Sequence, residues 1–182
     1  MSLDLMFLLS LPIIAGIIAL ATPIIKLIAG NKFTGAGSIL AVLAIAIFGI
    51  CFGMTFSYIS LAIKQQKKAM WIFVISAVLS LMAYLIFIPR FGIWGAAGVS
   101  IFSEFITGLG LLIICSRYVG FWPELKTFFK ILFSSVIMGA VVYFLQPLNV
   151  IISIFIGIAI YSVLIFVLRV VSKQTIHEIF AK

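Results

Sequence analysis

LIFIPRFGIWGAAGVSIFSE, residues 85–104, decides the fold. An apolar helix runs into Pro89-Arg90-Phe91-Gly92, and a second begins with Gly95, Ala96, Ala97 and Gly98 and leads to a carboxylate, Glu104. Pro89 cannot continue a helix, Gly92 supplies the backbone of a tight turn, and the small-residue run lets another helix come close. The stretch predicts a helical hairpin inside a membrane. Glu104 falls near the middle of a predicted span over 93–115, where an ionised group costs on the order of 2.5–3.5 kcal/mol on insertion scales. So costly a group should face protein or trapped water.

Composition places the rest of the chain in the same class. Of 182 residues 65% are hydrophobic and 9% charged, mean hydropathy is +1.42, and apolar stretches of roughly 20 residues recur with little between them. The chain reads as an all-α, polytopic integral membrane protein, a single transmembrane domain over 1–182. Predicted spans cover about 5–25, 38–63, 70–88, 93–115, 128–145 and 148–168, followed by a cytoplasmic tail at 172–182. Before the first of them, Met1 to Asp4 lack a basic leader region, so this span is read as a true crossing and not a cleaved signal.

The net charge of +8 would suit nucleic acid, but the twelve basic residues sit at helix ends and not along a groove-filling face, so anionic membrane lipids are the expected partners and nucleic acid is not. Counted on alternate sides of six spans, one side collects Lys64, Lys67, Lys68, Arg117, Lys126, Lys130, Arg169, Lys173 and Lys182. The other holds only Lys26, Lys32 and Arg90. Both termini are therefore expected in the cytoplasm, in a multi-pass protein of the cell membrane.

Small and polar residues mark the packing faces. Pro12, Gly16, Ala19 and Pro23 follow one side of the first span, which fits either a kinked packing face or a flexing gate beside a cavity. Gly49 and Gly53 give the second span a GxxxG seam. Ser76, Ser80, Ala83 and Tyr84 share a face of the third, and Trp71 reads as an interfacial anchor. In the fourth, Ala97, Ser100, Glu104, Thr107 and Leu111 recur at helical spacing. Glu104 fits two accounts: a carboxyl bonded to a neighbouring helix, or a proton, cation or cargo contact in a central aqueous cavity, with Ser100 and Thr107 beside it. Pro123-Glu124 reads as a helix opening, the last two spans join at a minimal turn around Pro147, and His177 belongs to a wet interface.

Enzymatic chemistry has little to work with. One histidine, four acidic residues and two cysteines, Cys51 and Cys115, on different spans offer no base–nucleophile pair, paired carboxylates, disulfide framework or metal cluster. No phosphate-cradling GxxxxGK loop is present. No catalytic residue, metal or cofactor is expected.

The run LPIIAGIIALATPIIKLIAGNKFTGAGSIL over 11–40, then Leu61-Ala62 with Lys64 and Lys68, then IPRFGIWGAAGVSIFSE, resembles the later helices of polysaccharide transporters. These are the O-antigen and lipid-linked oligosaccharide flippases of the multidrug/oligosaccharidyl-lipid/polysaccharide superfamily, and the resemblance covers most of residues 5–115. It implies a MATE-like bundle of twelve to fourteen helices in two lobes, which moves a polyprenyl-diphosphate-linked glycan between leaflets by alternating access. The chain would be the C-terminal part, completed by a missing N-terminal half or a second subunit. On this resemblance Glu104 matches an acidic residue after the GAA-type run. Arg90 becomes a late diphosphate contact or an ordinary solvated arginine, and Lys64 and Lys68 attract the diphosphate on the cytoplasmic side. The family's asparagines in the third of these spans are replaced by Ser76 and Ser80. A cation-coupled multidrug exporter of the same fold and a non-transporting scaffold subunit are the alternative functions.

Overall fold

The computed structural model describes residues 2–119, 125–146 and 149–168. Among them, five helices are long and apolar enough to cross a bilayer: α1 (Ser2–Ala29), α2 (Ala36–Ala62), α3 (Gln66–Val119), α4 (Leu125–Phe144) and α5 (Val150–Val167). Helix is the form such a sequence must take in lipid, because it pairs every backbone N–H and C=O within its own segment. The Pro123-Glu124 opening, the Pro147 turn and the tail at 172–182 lie outside the described residues. The fold forms two compact units, one of 1–37 with 124–182 and one of 38–123.

In the first unit α1 and α4 run parallel. Phe7 meets Phe128 edge to face at 5.1 Å between ring centroids, Ala15 lies against Gly139, and the carbonyl of Ala19 is met by Gln146. Helix α5 runs antiparallel to both, with Tyr161 reaching Leu8 and Val150 packing on the Ala19–Leu20–Met138–Val142 cluster beside Ile24. At the α4–α5 junction the fully buried Ser153 donates to the carbonyls of Leu145 and Asn149.

Two prolines stand inside α1, Pro12 and Pro23, yet the helix is unbroken over 28 residues. Neither can donate to the carbonyl four residues before it, so the oxygens of Leu8 and Ala19 lose their intrahelical partners. Both are supplied from other helices: Tyr161 of α5 donates to Leu8 O at 2.7 Å, and Gln146, just beyond α4, donates through Nε2 to Ala19 O at 2.8 Å. An orphaned carbonyl in hydrocarbon costs several kcal/mol, so these two bonds let a proline-bearing helix stay intact.

The second unit contains α2 and both limbs of α3. The 54 residues of α3 are interrupted at Gly92, whose φ of 57° and ψ of −133° are non-helical. The two limbs fold back on one another, since Ser76 meets Ser103 and Thr107, Tyr84 meets Ser100 and Ile72 meets Gly110. In each pair the partner's number rises as the first falls, the signature of an antiparallel hairpin. The bend expected at Pro89–Gly92 is present, with Gly92 at its point.

If Tyr161 stands in for the missing proline N–H, Tyr161→Phe should destabilise the folded protein by roughly 1–2 kcal/mol. The same change should be nearly neutral in a Pro12→Ala background, where the substituted residue's own N–H bonds the Leu8 carbonyl. A double-mutant cycle on thermal unfolding in detergent measures the coupling, and purely additive effects would refute the assignment.

Candidate functional site

Polar side chains and small residues along the second α3 limb, 93–119, make two adjoining sets of contacts. One set faces the first limb. Thr107 Oγ1 donates to Ser76 Oγ at 2.6 Å and to the carbonyl of Ser103 at 2.8 Å. The Tyr84 and Ser100 hydroxyls lie 2.9 Å apart, and Ser80 returns its proton to the carbonyl of Ser76. At the open end of the hairpin Lys68 bonds the Tyr118 hydroxyl. These bonds make a ladder up the inside of the hairpin, where apolar packing alone gives little driving force between helices in lipid.

The other set faces α2. A Cβ placed on Gly49 would lie 2.8 Å from the Cβ of Glu104 and 3.2 Å from its carbonyl carbon, and one on Gly53 would lie 3.8 Å from Gly108 Cα. The GxxxG seam of α2 is thus the surface on which the Glu104 backbone rests. Farther along the same contact, the buried Cys115 thiol reaches the carbonyl of Phe56 and the hydroxyl of Ser60, each at 3.4 Å. Phe48 stacks with Phe105 at 6.0 Å beside Gly49.

Glu104 is partly covered, and its carboxylate has no hydrogen-bond or ion-pair partner among the described residues. It lies twelve residues beyond the bend, about 18 Å along the helix, deep within an apolar segment. Arg90 is exposed beside the bend and is not brought to Glu104. Lys64, at a positive φ of 58° in the α2–α3 turn, and Lys68 lie at the opposite end of the unit from Arg90. Lys64 is exposed, whereas Lys68 is engaged by Tyr118, over whose ring its Nζ also lies, 4.7 Å from the centroid.

The single stripe expected from Ser100, Glu104 and Thr107 is therefore divided between two neighbours. Both hydroxyls serve the hairpin, and the carboxylate lies on the α2 side. Sequence reasoning gave no part to Ser103, whose carbonyl accepts from both Ser76 and Thr107. It also passed over Gln146 and Tyr161. The available signal was a polar side chain in an otherwise greasy span, set against two prolines that each free a carbonyl. Compared with family models, with curated proteins and with solved structures, the chain matches none.

The close approach at Gly49 makes a sharp contrast measurable. Gly49→Ala should destabilise by about 1–3 kcal/mol through overpacking against Glu104, while Gly53→Ala, with only ordinary contact to Gly108, should stay within about 1 kcal/mol of the parent. Equal thermal shifts for the two would contradict this packing.

Proposed function

We propose that the chain is part of a non-enzymatic membrane flippase that exports polyprenyl-diphosphate-linked oligosaccharide or polysaccharide units across the cytoplasmic membrane by alternating access. It would be the C-terminal portion of a MATE-like bundle and work with a missing N-terminal half or a second subunit. The observation that carries the reading is Glu104: a carboxylate deep in an apolar helix, without a partner among the described residues, on a helix held close to α2. Such groups mark ion or substrate paths in membrane proteins. The resemblance of residues 5–115 to polysaccharide transporters supplies the cargo.

Six crossings are supported by a parity argument. Helices α1 and α4 pack in parallel, so the chain between them must cross an odd number of times. Helix α2 crosses once, and α3, folded at Gly92, supplies two more. A single crossing by α3 would leave α4 antiparallel to α1. With six crossings the basic residues divide nine to three, a bias that supports both termini in the cytoplasm, Lys64 and Lys68 on the cytoplasmic side and Arg90 on the outer side. In this reading the lysines gather the diphosphate and Arg90 meets it late.

The hydrogen bonds that tie Ser100 and Thr107 into the hairpin favour a second reading, a non-transporting scaffold. Complementation separates the two. In cells blocked in lipid-linked glycan export, the full-length transporter should restore surface glycan. Glu104→Gln should lower export at least about tenfold at equal protein level, and Arg90→Ala by less. Full export by Glu104→Gln would remove the carboxylate from the mechanism. Failure of the parent to export glycan while it expels cationic dyes would replace the flippase with a cation-coupled drug exporter.

A further inference from the structure

We propose that the crevice between α1, α4 and α5 seats one anionic glycerophospholipid, with its acyl chain against α1 and its phosphate at Lys26. The crevice has an apolar part of about 330 Å³, walled by Pro12, Gly16 and Leu20 of α1, Met138 and Val142 of α4, and Gly157 of α5. A second hollow of about 420 Å³ is walled by Thr22, Pro23, Lys26, Gln146, Asn149 and Val150.

The two hollows follow one another along the same three helices. On α4 the walls continue at helical spacing from Met138 to Val142 and then Gln146. On α5 they pass from Gly157 through Ser153 to Val150, and on α1 from Leu20 and Ile24 to Pro23 and Leu27. The lining changes from hydrocarbon to amide and ammonium at one end only, which is the polarity of a lipid.

Length and charge agree with this occupant. From Lys26 to Gly16 is ten residues, about 15 Å of helix, or half of a hydrocarbon core about 30 Å thick. One acyl chain descending from the headgroup level ends near Gly16. The flanking Leu9 and Ile13 are 64% and 52% exposed, so the groove opens sideways into the bilayer. Lys26 is exposed and pairs with no carboxylate among the described residues. Gln146 spends one of its two amide N–H donors on Ala19, and Asn149 accepts from Ile151 N through Oδ1, which leaves its own Nδ2 as a donor. The hollow thus offers a cation and neutral donors from Thr22, Gln146 and Asn149, a set that fits a phosphate monoanion.

The test uses the full chain reconstituted in vesicles of phosphatidylcholine and phosphatidylglycerol at about 4:1, extracted in detergent, with retained lipid counted by native mass spectrometry. The parent should keep one phosphatidylglycerol. Lys26→Gln should lower the ratio of retained phosphatidylglycerol to phosphatidylcholine about fivefold. Gly16→Leu should expel lipid of both kinds, since a Cβ there meets only the end of Met138, at 3.8 Å, and the longer side chain projects into the groove. If Gly16→Leu does not fold, Ile154→Trp blocks the opposite wall. Free glycerol phosphate should displace nothing. An unchanged lipid ratio in Lys26→Gln, full retention in the folded blocking variants, displacement by glycerol phosphate, or a dimer that retains no lipid would each overturn the proposal.

Discussion

A backbone carbonyl that enters hydrocarbon must find a hydrogen, and the arrangement of the first unit follows from that requirement. Pro12 and Pro23 each strip α1 of a donor, leaving Leu8 O and Ala19 O exposed to a solvent that cannot hydrate them. Tyr161 and Gln146 answer them at 2.7 and 2.8 Å. The two bonds fix α5 at one end of α1 and the end of α4 near the other, so they set direction as well as contact. Apolar packing cannot do this in lipid, because a leucine gains little by exchanging an acyl chain for another leucine.

The second unit is tied by hydroxyl side chains. Several of them donate across the hairpin or back to a carbonyl of their own helix, as Thr107 does with Ser76 and Ser103. Where α2 meets the second limb of α3, the gain comes from proximity, through Gly49 against Glu104 and Gly53 against Gly108. A carboxylate carried on so close a contact has little freedom to retreat. That geometry distinguishes Glu104 from the acidic residue near the start of α1, Asp4.

Much of the architecture was legible in the residues because lipid leaves few options. Length and greasiness located the helices, and Pro89 with Gly92 located the bend. The first helix runs outward past its predicted 5–25 to Ser2–Ala29, because polar ends such as Asp4 and Lys26 are tolerated in terminal turns near the headgroups. The site was less legible. A helical wheel puts Ser100, Glu104 and Thr107 on one arc, but two neighbours, α2 and the first limb of α3, meet that arc at different angles and divide it. Partners for the carbonyls that the prolines free lay 127 and 153 residues away, a separation that no local pattern encodes.

That separation also bears on how the molecule is made. Leu8 leaves the ribosome well before Tyr161, the donor it needs, which is translated 153 residues afterwards. At about 5–20 residues per second the delay is roughly 8–30 s. During it α1 carries a polar gap that only water, lipid headgroups or the insertion machinery can fill. Helix α1 is thus completed only once α5 has been made, and a ribosome stalled before α5 would leave behind a nascent chain in which α1 is still unsealed.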